Sequence, residues 1–228
     1  MSDRNRGITH LLERVFYPNY KYSSAIRGAP KPETPSSNPF KGRRAGFKRG
    51  SAVDSEICRY VNKGELPQSA YARKLLRALA AAGLRPTKAQ VHVKDAELGL
   101  ATGVDLLCAK PDGTPCIVEI KCGYNRPGAY EGSTGNMRKF LKHLTNSPHN
   151  QHIVQTVVTR ALYLATFPET GRLECVIARV TDAGVHLHAV SSELHAHAAK
   201  ILAAISDARG RVRVKKVKIK KKKPKKRI

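Results

Sequence analysis

The residues of this chain best suited to chemistry are an aspartate, a glutamate and a lysine on two neighbouring apolar segments. Asp105 lies in the first segment, Glu119 and Lys121 lie in the second, and a Pro-Asp-Gly-Thr turn at 111–114 joins them. Alternate residues of a strand share a face, so Glu119 and Lys121 should point the same way. The turn reverses the chain and can return Asp105 to the side of Glu119. The pattern therefore predicts two carboxylates and one ammonium group in a small volume.

Two adjacent carboxylates are suited to a hard divalent cation. Mg²⁺ keeps several waters and takes few protein oxygens, so we expect Asp105, Glu119 and the backbone carbonyl of Ile120 to hold it, with Mn²⁺ as a substitute. Lys121 would then orient or deprotonate a water, or stabilise negative charge on a phosphate, and the residues alone leave these roles open. The chemistry predicted is hydrolysis of phosphodiester bonds.

A plainer explanation of the Glu-x-Lys pattern is a strand with one face in water, on which charged and apolar residues alternate. The neighbours of these acids argue against it, because they are strongly apolar and typical of strands inside a sheet. An unpaired carboxylate is costly there, which favours a metal or a base beside it. These neighbours are Val104, Leu106, Leu107, Ile117, Val118 and Ile120.

The order of these features resembles the PD-(D/E)XK nuclease superfamily, in its lambda-exonuclease and RecB-like branch. Asp105 and the triplet Glu119-Ile120-Lys121 carry the resemblance, together with helical segments at 49–57 and 151–160. The resemblance implies a mixed-sheet α/β fold and a Mg²⁺-dependent deoxyribonuclease, an exonuclease rather than an endonuclease. It also implies a catalytic role for Gln155 in the second helical segment. Related nucleases occur in large DNA viruses, so we expect a role in DNA processing, recombination or repair of a viral or nuclear genome.

The first helical segment offers one more acid to the metal, and the resemblance leaves two candidates. Asp54 and Glu56 are about 200° apart on a helix, so at most one of them faces the metal. The spacing from Gly50 favours Asp54, whereas the residue type usual in parts of the family favours Glu56. Either acid could instead simply stabilise the start of a helix.

The net charge of +25 is concentrated at the chain ends. Residues 209–228 contain 13 Lys and Arg and no acid. Such a segment should remain disordered alone and bind phosphate backbones through counterion release. It is also typical of a nuclear localisation signal read by an import receptor. The predicted nucleic-acid contacts are Arg49, Arg126, Arg138, Lys139, Lys142, Lys215, Lys216, Lys220, Lys221, Lys222, Lys223, Lys225, Lys226 and Arg227.

Two hypotheses for the whole protein follow. The first is a nuclease acting on DNA, with RNA as an open alternative. The second is a non-catalytic packaging protein of a virion or of chromatin, built on a degenerate nuclease scaffold. Both place the protein in a nucleus or virion and predict no membrane partner. A homo-oligomer or a recruiting protein partner stays open.

Composition divides the chain into a basic Pro/Ser-rich arm at 1–47, a nuclease-like domain at 48–208 and a disordered polybasic tail at 209–228. We predict an α/β fold in which helices flank a central mixed β-sheet, with disordered basic tails. The predicted helices cover 8–16, 50–62, 69–83, 136–144, 150–165 and 191–208. The predicted strands cover 90–94, 103–108, 115–121, 173–180 and 185–190. Five cysteines without a Cys-x-x-Cys pair indicate reduced thiols.

Overall fold

The computed structural model describes residues 8–17, 39–125, 128–133 and 135–208, with the backbone only at 39–47. Arg126 and all the predicted tail contacts from Lys215 to Arg227 lie outside these ranges. The predicted disorder of the tail, and most of the predicted arm, lie outside them too.

A five-stranded mixed sheet forms the centre of the protein, with its strands in chain order from one edge to the other. The strands are β1 (Arg85–Asp95), β2 (Leu100–Ala109), β3 (Pro115–Cys122), β4 (Glu174–Val180) and β5 (Val185–Ala189). Neighbouring strands are antiparallel except β3 and β4, which are parallel. A parallel pair needs a crossover connection, and a long helix supplies it here. The sheet and its flanking helices confirm the predicted α/β fold.

Helices cover both faces of this sheet. They are α1 (Ile8–Phe16), α2 (Pro39–Lys63), α3 (Ala70–Ala81), α4 (Pro148–Thr166), α5 (Ser192–His195) and α6 (residues 198–208), with 3₁₀ turns at Lys139–Leu141 and Pro168–Thr170. One apolar core joins α1, α4 and α6 to the sheet, and a second joins α2 and α3 to its other face. The alternation of β3 explains the division, because Ile117 enters the first core while Val118 and Ile120 enter the second. Glu119 and Lys121 therefore belong to the α4 face.

The N-terminal helix α1 belongs to the folded core, although the composition of residues 1–47 predicted a basic arm outside the domain. Ile8, Leu11, Leu12 and Val15 recur at helical spacing and are all buried. Burying one such side chain contributes about 1.5–3 kcal/mol. A local amphipathic pattern thus outweighs the basic, proline-rich composition around it.

Several predicted boundaries move. Helix α2 begins at Pro39 instead of residue 50, because proline suits the first helical turn and interior glycines cost only about 1 kcal/mol each. The helix predicted at 136–144 is wrong: this segment closes on itself through an Asn136–Thr145 bridge, and Lys139 has a φ of 59°. The helix predicted at 191–208 is divided into α5 and α6. In the part of the chain with described structure, no helix has the length and apolar character needed to span a membrane.

Candidate active site

The predicted acids meet where the pairing of β2 with β3 ends. The register of this pair runs from Ala109 opposite Pro115 to Leu106 opposite Val118, so Asp105 and Glu119 are the next residues on the two strands. Instead of a backbone pair at this point, the Asp105 side chain accepts a hydrogen bond from the Ile120 N–H at 2.9 Å. This hydrogen bond holds the Asp105 carboxylate at the point where β2 and β3 stop pairing.

Glu119 is the centre of the cluster and is only 2% exposed. Its Oε1 accepts two hydrogen bonds, from Lys121 Nζ at 2.5 Å and from Gln155 Nε2 of α4 at 2.7 Å. Its Oε2 is buried and has no hydrogen-bond partner. An orphaned carboxylate oxygen in the interior is costly, so a ligand from outside the chain would stabilise this atom.

The first helical segment brings Asp54, on α2, within electrostatic reach of the cluster. Burial, and then the charge of Glu119, raise the pKa of Asp54, against the opposing effect of Lys121. Glu56 is used elsewhere, since its Oε2 accepts the Ser69 N–H at 2.8 Å just before α3. Asp54, unlike Glu56, thus interacts electrostatically with Glu119 and Lys121, and its role as a metal ligand stays a prediction.

Burial, followed by repulsion among the acids, dominates the electrostatics. Burial raises the pKa of Asp105 from its ordinary 3.8 to about 8, and the charges of Glu119 and Asp54 add to the rise. Burial opposes the charged form of Lys121, but Glu119, Asp105 and Asp54 outweigh it and raise the pKa of the ammonium. The site therefore resists ionising all three acids beside a single lysine, which is the condition that a divalent cation relieves.

The donor set fits a hard cation better than a soft one. Asp105, Glu119 and the Ile120 carbonyl supply oxygens, and the partnerless Oε2 of Glu119 provides an open acceptor. Within the described ranges, no group of three or more His, Cys, Asp and Glu side chains is placed to hold a metal ion, so the candidate protein ligands are two carboxylates and one backbone carbonyl. This is compatible with Mg²⁺, which retains several waters and needs few protein ligands.

The chemically active groups near the cluster include a histidine that the sequence analysis missed. His152 stands three residues before Gln155 on α4, on the same side of the helix. Its Nδ1 lies 3.2 Å from the hydroxyl of buried Tyr130, and Arg179 stacks over that ring with its guanidinium carbon 4.9 Å from the centroid. Burial, then the charge of Lys121, lower the pKa of His152 well below its ordinary value. The helical spacing to Gln155 is the sequence signal that could have identified it.

The predicted nucleic-acid contacts that the structure describes fall into two places. Arg138, Lys139 and Lys142 are exposed around the 3₁₀ turn at 139–141, which packs near α1. Arg49 lies instead on α2, where its Nη1 donates to Asp182 at 2.5 Å and to the Tyr71 hydroxyl at 3.0 Å. These four basic residues, which the sequence analysis grouped by their charge, thus lie in two different parts of the fold.

Comparisons with known proteins give no sequence match and only remote structural ones. No family model matches the chain, and no curated protein matches it significantly. Its backbone is similar to a protein from Eubacterium rectale, provisionally described as an exonuclease, with a TM-score of 0.41 and 11% identity over 70% of this chain and 68% of that one. It is also similar to the alkaline exonuclease LHK-Exo from Laribacter hongkongensis, with a TM-score of 0.36 and 16% identity over 75% of this chain and 92% of that one. These similarities concern the course of the backbone, so the chemistry of this chain rests on its own side chains.

Proposed function

We propose that this protein is a metal-dependent nuclease that hydrolyses the phosphodiester bonds of DNA. The observation that carries the proposal is buried Glu119, with one oxygen bound by Lys121 and Gln155 and the other without a partner. A structural salt bridge alone would not leave a buried carboxylate oxygen open, nor place two more acids beside it.

The residues that would hold the metal are Asp105 and Glu119, with the Ile120 carbonyl and with Asp54 closing the site from α2. When bound, Mg²⁺ acts as a Lewis acid on phosphate and lowers the pKa of water. The hydrogen bond from the Ile120 N–H keeps Asp105 in place, and Gln155 keeps Glu119 in place. Both carboxylates are therefore preorganised before any substrate arrives.

Lys121 and Gln155 are the groups placed to act on the substrate. The acids around Lys121 keep it charged, so its ammonium can donate hydrogen bonds to a phosphate oxygen or to the attacking water. The Gln155 amide uses its NH₂ on Glu119, which leaves its carbonyl oxygen to accept a hydrogen bond from water. Hydrolysis forms a P–O bond to the attacking water, which loses a proton to solvent, and breaks the P–O bond to the leaving oxygen, which takes a proton from solvent or from Lys121.

The finer parts of the proposal concern substrate, partners and location. The charge of +25 supports a polyanionic substrate such as DNA, because Lys and Arg that meet phosphates release condensed counterions. We propose Mg²⁺ as the physiological ion, exonucleolytic action, and DNA processing in a nucleus or virion. We further propose an import receptor as partner of the basic run at 215–227. Measurements of mass in solution would test for a homo-oligomer, and binding measurements would test for a recruiting protein.

The proposal is tested by incubating end-labelled linear DNA and closed circular DNA with Mg²⁺, Mn²⁺ or EDTA. The variant is Lys121→Met, which removes the ammonium from Glu119. Its matched control is Lys110→Met, because Lys110 Nζ also pairs with a glutamate, Glu174, at 3.0 Å but near the opposite end of β3. We expect metal-dependent cutting of linear DNA by the wild type and by Lys110→Met, and loss of cutting with retained DNA binding in Lys121→Met.

Three results would change this conclusion. Cutting of circles would make the protein an endonuclease, and full activity of Lys121→Met would remove Lys121 from the mechanism. The absence of cutting by the wild type with every metal, together with salt-sensitive DNA binding, would favour the packaging alternative. The density of basic residues in 209–228 is the observation that supports this packaging alternative.

A further inference from the structure

The turn between β4 and β5 carries an aspartate on which several elements converge. Asp182 Oδ1 accepts hydrogen bonds from Arg49 Nη1 at 2.5 Å and from the Tyr71 hydroxyl at 2.6 Å. Its Oδ2 accepts one from Asn125 Nδ2 at 2.5 Å, and its backbone carbonyl accepts one from Lys74 Nζ at 2.7 Å. The donors come from α2, from α3 and from the segment that follows β3. One residue thus ties three parts of the chain together.

The turn itself is a fixed anchor. The Thr181 N–H donates to the Gly184 carbonyl at 2.8 Å, and the Thr181 hydroxyl bonds both the carbonyl and the N–H of Gly184. Asp182 also donates its own N–H to Asn125 Oδ1 at 3.2 Å. The Tyr71 hydroxyl, followed by the charges of Arg49 and Lys74, lowers the pKa of Asp182, so the carboxylate is ionised at neutral pH. These interactions hold a negative charge at a defined point on the sheet.

The donors to Asp182 lie close in sequence to the active-site side chains. Arg49 is five residues before Asp54 on the same helix, and Asn125 is four residues after Lys121. The helix α2 lies close to the end of β3 at Gly50, because a Cβ at Gly50 would lie 3.9 Å from the Cβ of Cys122. A shift of α2 at Arg49 would therefore be transmitted to Asp54, about one and a half turns along a stiff helix.

Directional contacts add to the apolar packing of α2. Val53 and Ile57 bury α2 against the sheet through non-directional apolar contacts. The Arg49 side chain is 18% exposed, and its guanidinium is held by Asp182 and by the hydroxyl and ring of Tyr71. Removing Asp182 would leave this poorly solvated charge without its carboxylate partner, which is costly.

We propose that Asp182 is a positioning residue: by holding Arg49 and Asn125, it sets Asp54 of α2 against Glu119 and Lys121 of β3 for metal binding. This inference rests on the proposed function, because it assumes that these side chains bind a divalent cation. It differs from a purely structural role in predicting an effect on metal affinity. Groups that hydrogen-bond metal ligands typically change metal affinity or activity by about 10- to 100-fold; Asp182 acts through Arg49 and Asn125 instead, so we expect an effect at the lower end of this range.

The test is Mn²⁺ binding by calorimetry, without DNA, to the full chain carrying Asp182→Ala, Asp182→Asn or Asp182→Glu. The matched control is Glu174→Ala, since Glu174 also accepts from two basic side chains, Lys110 and Arg172, at the far end of β3. We expect Mn²⁺ to bind about 10-fold or more weakly to Asp182→Ala, with smaller losses in Asp182→Asn and Asp182→Glu. Glu174→Ala should stay within about twofold of the wild type, since Glu174 pairs with residues far from Asp54, Glu119 and Lys121. Cleavage by Asp182→Ala should show a lower kcat with an unchanged KM for DNA.

The outcomes separate this inference from the proposed function. Wild-type protein that binds no Mn²⁺ would overturn both. Wild-type binding with equal affinity in Asp182→Ala would overturn the positioning role and leave the nuclease intact. Tighter DNA binding by Asp182→Ala with unchanged Mn²⁺ affinity would mean that Asp182 competes with DNA for Arg49, which also overturns it. If Asp182→Ala does not fold, Asn125→Ala and Tyr71→Phe each remove one donor and should weaken Mn²⁺ binding by smaller factors.

Discussion

Replacing Asp105 with asparagine should stabilise the metal-free protein, and the gain should grow with pH. Burial raises the pKa of Asp105 in the folded protein to about 8, from 3.8 for the exposed group. The folded state therefore binds a proton that the unfolded state has already released between these two values. Stability of the wild type must fall as the pH rises through this window. Asparagine stays neutral and can still accept the Ile120 N–H, so the variant avoids this loss.

The size of the effect follows from the width of the window. A difference of about 4 units at about 1.4 kcal/mol per unit sets an upper limit of about 6 kcal/mol above pH 8. Rearrangement of Glu119 and Lys121 and entry of water will reduce it, so we expect a gain of about 2–4 kcal/mol at pH 9 and almost none at pH 4. A gain of this size is large, because most single substitutions destabilise.

The assay is urea unfolding in EDTA at several pH values between 4 and 9.5, followed by circular dichroism. Asp95→Asn is the control, because Asp95 also lies on a strand and accepts one backbone N–H, from Leu98 at 2.9 Å, away from the acid cluster. Adding Mn²⁺ at pH 8 should stabilise the wild type and have little effect on Asp105→Asn. A gain that is equal at all pH values, or a variant that is less stable than the wild type at pH 9, would refute the electrostatic argument.

Three further predictions concern single parts of the site and the tail. Gln155→Leu should lower single-turnover cleavage about 10- to 100-fold while DNA affinity in EDTA is unchanged, because Glu119 loses the hydrogen bond that orients it; unchanged cleavage would contradict this. Asp54→Asn should weaken Mn²⁺ binding, whereas Glu56→Gln should lower the melting temperature and leave Mn²⁺ affinity intact, since Glu56 binds the Ser69 N–H; calorimetry and thermal unfolding distinguish the two, and the reverse pattern would exchange their roles. Deletion of residues 209–228 should reduce the slope of log K against log salt by up to about 0.9 for each Lys or Arg that meets a phosphate, while cleavage at low salt persists; an unchanged slope would show that the tail does not contact DNA.

The parts of the fold predicted well are those whose signals are local. Helix α3 begins after Ser69, whose hydroxyl accepts the Ala72 N–H, and it ends before Gly83 with its φ of 69°. The hairpin of β2 and β3 follows from alternating apolar residues around a Pro-Asp-Gly-Thr turn. In each case the residues that decide the structure are neighbours in sequence, so the pattern could be read without knowing the rest of the fold.

The errors arose where distant contacts decide. The segment 136–144 has a helical appearance, but the Asn136–Thr145 bridge closes it into a loop. Helix α1 was predicted from its spacing, yet its place in the main core depends on α4 and the sheet. The DNA contact predicted at Arg49 stays a prediction, but its ion pair with Asp182, 133 residues away in sequence, was not predicted. No local pattern contains such a partner.

The sequence by itself determined the α/β class, the β2–β3 hairpin and the set of acids, lysine and glutamine that could do chemistry, because residue type and period are local properties. Only the tertiary structure decided which of these groups meet. It brought Asp54 within electrostatic reach of the cluster, paired Glu56 of α2 with the Ser69 N–H, brought Gln155 to Glu119 from 36 residues away, and left one oxygen of Glu119 buried without a partner. Burial and mutual repulsion exist only once the chain has folded, and they are the physical basis of the proposed cation site.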